Sequence, residues 1–377
     1  MYKNKISVSQ FFICMFLCNI FIILGFWGQS ISVDAYTTNL FTAIISTVLM
    51  ILVCVPSYLI KKKSGVNLIK VLNFINNKFS AFIKAIYVLS YFIFSCAFLS
   101  KYIKFFKYQI NREAFEFILI LAIVLLCAFG CYKGINALFK MSTVIFVFFL
   151  ITLIFIIVGL LDKIDFNNIS LNIFQLDNQV YQSISISLFM ILPLTTYVVF
   201  SDFIKGNQKL GIVSNAIGIN VLYLIVTALI MLVFGSFANT LKFPSFVLSK
   251  VANITVIKGG DGMIFALITA ITLILIDLSS VSSSKVIESD KSKLYPICYS
   301  LALLVVSTIA VYVAPIYNFL TNTLFLAILS ITLLVVIPTF SYVIIKNNRW
   351  LNEKAYIIFF CIDYSDLIFF LLKNGNR

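Results

Sequence analysis

The chain has no histidine. A Ser-His-Asp triad is therefore excluded, as is any metal site built on imidazole. Its 8 cysteines never fall in a Cys-x-x-Cys spacing, which removes the usual zinc cradle. No Gly-rich loop of the P-loop form occurs. Charge is scarce as well. Only 11% of residues are Asp, Glu, Lys or Arg, too few to cover a soluble domain. These shortages point away from a soluble enzyme, and no catalytic residue, cofactor or metal is expected.

What the sequence has in abundance is apolar side chains, 62% of the total. A helix needs about 20 mainly apolar residues to cross a bilayer core. Such stretches consume nearly the whole chain. The runs are continuous rather than alternating, so a β-barrel is not expected. Most cysteines, among them Cys14, Cys18, Cys54, Cys96 and Cys127, lie inside these runs and read as small packing residues. The expected fold is an all-α membrane protein with about ten transmembrane helices.

The first helix lies within Ile6 to Val33, a run too long for a cleaved signal peptide and read as retained. The second fits Thr38 to Ile60 and stops at Lys61-Lys62-Lys63. The third, fourth and fifth fall at about Ile83 to Ser100, Phe115 to Tyr132 and Met141 to Leu161. The sixth lies within Gln182 to Phe203. The seventh and eighth run about Leu210 to Phe234 and Met263 to Val286. The uncharged stretch Leu294 to Ile345 is too long for one crossing, and Pro315 with Tyr317 and Asn318 divides it into the ninth and tenth. The transmembrane domain is thus placed at 1–347, in halves of about 1–165 and 178–347. A tail at 348–377, apolar from Tyr356 to Leu372 but broken by Asp363 and Asp366, reads as cytoplasmic or interfacial.

The net charge of +14 invites a nucleic-acid reading. The basic residues sit in short clusters between apolar runs, which is the form of a membrane topology signal instead. With the N-terminus in the cytoplasm, 20 of the 28 Lys and Arg residues fall on the cytoplasmic side, and both termini lie inside. Ten helices with both ends inside suit a five-plus-five inverted repeat, since an odd number per half turns the second half over.

Several short stretches carry a resemblance. The opening reads Lys5-Ile6-Ser7 followed by Gln10-Phe11-Phe12. After the fourth helix come Lys133-Gly134-Ile135, Ala137 and Lys140. The loop Asp165 to Ile173 holds paired Asn167 and Asn168, and Phe243-Pro244-Ser245 precedes the eighth helix. In this order and spacing the chain resembles the spore-germination permeases, the B subunits of nutrient germinant receptors. That family is related to the amino acid–polyamine–organocation transporters. The resemblance implies a multi-pass protein of the spore inner membrane. It would bind a small nutrient, probable class amino acid, and associate with A-type and C-type receptor subunits.

The resemblance also implies a site. In related transporters the first and sixth helices unwind near the bilayer midplane and grip the ligand with freed backbone groups. The matching positions here are Asn19, Ile20 and Phe21 in the first helix, with Gly25 and Gly28 later. In the sixth they are Pro193, Thr195, Thr196 and Tyr197. Pro193 gives a physical reason for a break, because it lacks an N–H and clashes with the preceding turn. The plainer readings are a proline kink, and Asn19 as a hydrogen-bonding link between helices. Asp277 in the eighth helix is followed by Ser279, Ser280 and Ser283. A carboxylate so far into a crossing is costly and marks function. Related sodium-coupled transporters place eighth-helix hydroxyls beside an ion, so these four residues are the ion-coupling candidates. The plainer reading puts Asp277 near a helix end, paired with water or Lys285. Three functions stay open: nutrient sensing in a germinant receptor, proton- or sodium-coupled amino-acid transport, and a structural membrane subunit without ligand.

Overall fold

The computed structural model describes residues 6–26, 36–64, 66–75, 77–168, 187–241, 243–252, 260–288 and 294–346. Eight of its helices are long and apolar enough to cross a bilayer. Two shorter apolar helices, Val8–Leu24 and Ser187–Phe203, join them. We number these segments in chain order. Span 1 is Val8–Leu24, span 2 Thr37–Ser64, span 3 Lys78–Gln109, span 4 Glu116–Lys133 and span 5 Ile135–Lys163. Span 6 is Ser187–Phe203, span 7 Gln208–Ala238, span 8 Gly262–Glu288, span 9 Tyr295–Tyr312 and span 10 Ala314–Val343. The protein is an all-α membrane protein, and its ten apolar segments match the ten runs of the sequence.

Residues Met1–Thr339 form one compact unit and Phe340–Arg377 a second. Within the second unit the structure describes only residues 340–346, the end of a helix. The tail expected at 348–377 lies outside the described residues.

Local chemistry sets the boundaries. Ser7 and Gln10 form a capping box at the start of span 1: the Gln10 N–H donates to Ser7 Oγ at 3.2 Å, and the Ser7 N–H to Gln10 Oε1 at 3.4 Å. The Ser7-to-Gln10 stretch of the opening motif therefore has a physical role. Gly134 separates spans 4 and 5 with φ at +91°, a conformation that a Cβ would strain. Span 9 ends at Tyr312, and a new helix starts at Ala314 with Pro315 in its first turn, where a missing N–H costs little. Two short helices interrupt what the sequence presents as loops. Leu68–Ile75 follows Asn67, whose Oδ1 accepts the Lys70 N–H at 3.0 Å. Pro244–Val251 begins on the proline of the Phe243-Pro244-Ser245 motif.

The most extensive packings are span 3 on span 8, span 2 on span 7 and span 4 on span 9. Each joins a segment to the one five places later. The short helices follow suit, Leu68–Ile75 lying on span 3 and Pro244–Val251 on span 8. Two-residue strands, Ile6–Ser7 and Ile204–Lys205, pair in parallel and tie the start of span 1 to the end of span 6.

Candidate functional site

Span 6 loses α-helical hydrogen bonding partway along, and span 1 does so at its described end. In span 1 the α-helix runs Val8–Phe21 and passes into a π-helical turn at Ile22–Phe26. The break lies just beyond Asn19-Ile20-Phe21. In span 6 a 3₁₀ turn, Leu192–Leu194, carries Pro193 and leads into the α-helix Thr195–Phe200. The 3₁₀ turn of span 6 meets the α-helical part of span 1, whereas the π-helical turn lies on span 3 and on the short helix Pro244–Val251.

Side chains complete the backbone of the span 6 turn. Thr195 Oγ1 donates to the Leu192 carbonyl and Thr196 Oγ1 to the Pro193 carbonyl, each at 2.8 Å. The Tyr91 hydroxyl of span 3 donates to the Thr195 carbonyl at 2.8 Å. Three carbonyls of the broken segment are thus satisfied without water, as membrane depth demands. Thr196 also touches the Met15 sulfur of span 1. Asn19 is fully buried. Its Nδ2 donates to the Met15 carbonyl at 3.1 Å, while Oδ1 has no partner. Ile20 and Phe21 are buried too. Phe21 lies edge-on to Phe98 at 5.6 Å and near Tyr102, so it packs against span 3.

Tyr197 is placed differently from the threonines. Its hydroxyl donates to Gln208 Oε1 at 2.9 Å, and Gln208 Nε2 donates to the Ser201 carbonyl at 2.9 Å. The Tyr197 hydroxyl thus turns to the end of span 6. Tyr87, one turn before Tyr91 on span 3, has its hydroxyl on the Leu333 carbonyl at 2.6 Å. That carbonyl lies in a second π-helical turn, Thr332–Val336, which precedes Pro338. The Ile337 N–H goes to Thr332, and the proline has no N–H to offer, so the phenol serves Leu333 instead.

Asp277 lies about 22 Å along span 8 from Gly262, at 1.5 Å per residue. It is fully buried, and neither carboxylate oxygen has a hydrogen-bond partner. The ion pairs found among the described residues, Lys70–Asp202 and Lys107–Glu116, do not involve it. A pairing with Lys285 is not made. The neighbours that sense its charge are Cys18 of span 1, Cys96 of span 3, Cys127 of span 4 and Tyr299 of span 9. The Ser95 hydroxyl of span 3 lies beside it without completing a hydrogen bond.

The three serines divide between faces. Ser279 is rotated about 200° from Asp277 and Ser283 about 240°, at 100° per residue. Ser279 lies beside Cys18, with its hydroxyl on the Ile276 carbonyl at 2.7 Å. Ser283 lies beside Tyr91, its Oγ without a completed bond. Ser280 is nearer the Asp277 face, and its carbonyl accepts from Ser284 at 2.9 Å. The structure therefore brings Pro193, Thr195, Thr196 and Ser283 together around Tyr91, links Asn19 to them only through Met15, and sets Asp277 with Ser95 and Tyr299. Among the described residues no three His, Cys, Asp or Glu side chains gather as a metal site would need.

The sequence reading missed a polar cap on the end of span 6. Asn67 Nδ2 donates to the Val199 carbonyl at 2.7 Å, and Lys61 Nζ reaches the Ser201 carbonyl. Lys70 pairs with Asp202 at 2.7 Å. Asn67 as an N-cap was the available signal; its reach to another span was not. No family model matches the chain, and no curated protein matches it.

Proposed function

We propose that this chain is the nutrient-sensing membrane subunit of a spore germinant receptor, seated in the spore inner membrane beside A-type and C-type subunits. Its ligand is a small nutrient, an amino acid, held near the bilayer midplane. The observation that carries the reading is the broken span 6, whose 3₁₀ turn at Leu192–Leu194 packs on the α-helix of span 1, with open polar atoms nearby at Asn19 Oδ1 and Ser283 Oγ. The span 6 carbonyls there are already satisfied by hydroxyls. The ligand ammonium therefore falls to Asn19 and Ser283, both able to accept. Ligand binding shifts the packing of the junction only by its differential affinity for the two states, and the partners read that shift.

The test is nutrient-triggered germination of spores lacking the gene, across amino acids, sugars and nucleosides. Selective loss for one amino acid, restored by the wild-type gene and not by an Asn19→Leu variant, is expected. Unchanged germination across the panel counts against the reading.

Asp277 favours a second reading, a proton- or sodium-coupled amino-acid transporter on the same site. A buried carboxylate without a protein cation invites a mobile one. In proteoliposomes, Asp277→Asn then abolishes coupled uptake; undiminished uptake removes this role.

A further inference from the structure

Away from the junction, a groove of about 590 Å³ opens between spans 1, 5 and 7. Ser9 and Phe12 line it from span 1, Phe146 from span 5, and Ser214, Asn215 and Gly218 from span 7. Asn215 is only 5% exposed, yet neither its amide nitrogen nor its amide oxygen has a partner. A buried amide in this state is destabilising unless something else satisfies it. The span 1–span 7 interface beside the groove is already tight. A Cβ at Gly211 would lie 2.4 Å from the Phe12 ring, so the two spans have no room to close further on that side.

The groove has a polarity gradient. Toward the start of spans 1 and 7 it carries Ser9, Asn207 and Ser214; further along come Phe16, Phe146 and Gly218. Span 7 has 31 residues, about 46 Å at 1.5 Å per residue. A hydrocarbon core of about 30 Å leaves some 8 Å over at each end if the span is centred. Asn215 lies about 10 Å from Gln208 by the same rise, hence at the level where lipid esters meet hydrocarbon. Exposed Lys205 lies two residues before Asn207 of the lining and pairs in register with Ser7, next to Val8 of the lining.

We propose that this groove holds one glycerophospholipid with an anionic headgroup. One acyl chain lies on Phe12, Phe16 and Phe146, an ester carbonyl accepts from Asn215 Nδ2, and the headgroup faces Lys205. The lack of any charged side chain in the lining suits the ester and chain, and the exposed lysine two residues before the lining suits the head.

Native mass spectrometry of the full chain, extracted in mild detergent and titrated with phosphatidylglycerol or phosphatidylcholine of equal chain length, tests this. The expected result is one tightly retained phosphatidylglycerol per chain, with occupancy at least tenfold lower for phosphatidylcholine. Ser214→Phe fills the groove from an exposed position and should remove retention. Asn215→Leu should weaken it severalfold, and Ile217→Phe, on an exposed site outside the lining, should leave it unchanged. Thermal unfolding of each variant identifies any that misfolds, and Asn215→Leu then decides alone. Equal retention by all variants overturns the site, and equal retention of both lipids overturns the anionic head. Glycerol phosphate competing as well as the full lipid overturns the chain contact. Co-purification of a partner helix that displaces lipid assigns the groove to protein and overturns the proposal.

Discussion

At the residue scale the central fact is a carboxylate with nothing to hold it. Asp277 is fully buried, and both its oxygens lack partners. A charge at the centre of a membrane helix costs about 2.5–3.5 kcal/mol or more on insertion scales. Asn keeps the shape and drops the charge. Asp277→Asn is therefore expected to unfold in detergent at or above the wild-type temperature, while losing the ligand response or coupled uptake. A clear fall in the unfolding midpoint would mean that the carboxylate is a structural partner after all. Asn67 behaves in the opposite way, because its amide is used. Removing it by Asn67→Ala strands the Val199 carbonyl and should cost about 1–3 kcal/mol. Lys70→Ala should cost less than about 1 kcal/mol, since the Lys70 side chain is 53% exposed. Chemical or thermal unfolding in micelles ranks the two, and the reverse order would mean that the ion pair, not the amide, holds the end of span 6. Residue type marked Asp277 in the sequence, because a carboxylate is expensive inside a membrane, while Asn19 and Pro193 were named through the family resemblance. It did not mark Ser95, Tyr299 or Asn215, since hydroxyls and amides are common and only three-dimensional packing shows which ones lack partners.

At the element scale, apolar length located the spans and local chemistry adjusted them. Proline acts in two ways. Pro315 opens a helix after Tyr312, and Pro338 follows a π-helical turn that passes the Leu333 carbonyl to Tyr87. The first was readable from the sequence; the second depends on a tyrosine 246 residues away. The short helices Leu68–Ile75 and Pro244–Val251 were missed because eight residues fall below any membrane-crossing length. Close approaches between spans separate two glycines that look alike in the sequence. A Cβ at Gly211 meets the Phe12 ring at 2.4 Å and Val8 at 2.6 Å, whereas one at Gly130 meets only the movable end of Leu278, at 2.9 Å. Gly211→Ala should destabilise by about 1–3 kcal/mol through overpacking, and Gly130→Ala by about 1 kcal/mol or less. Equal midpoints in thermal unfolding would show that span 1 yields as easily as the Leu278 side chain.

At the scale of the whole molecule, pairing of spans 2, 3 and 4 with spans 7, 8 and 9 ties the early spans to the late ones. Span 3 on span 8 is the most extensive of these packings, and it carries Tyr91, Ser95 and Asp277. The junction of spans 1 and 6 therefore touches, through Tyr91, a helix that also frames the carboxylate, and the proposed ligand and ion would be linked through it. The direction of that linkage across the membrane depends on orientation, and lysine placement makes it testable. The loop before span 9 contains Lys291 and Lys293, and Cys298 follows a few residues later. Cys298 is exposed, whereas Cys14, Cys18, Cys54, Cys96, Cys127 and Cys131 are buried. The tail holds Cys361, so the measurement uses Cys361→Ser. With the lysine-rich side in the cytoplasm, a membrane-impermeant maleimide should leave Cys298 unlabelled in intact cells and label it in inverted vesicles. Labelling of intact cells, blocked by a further Cys298→Ser change, would turn the molecule over. The junction of spans 1 and 6 would keep its chemistry, but the capped end of span 6 would then face outward and close the opposite side of the site.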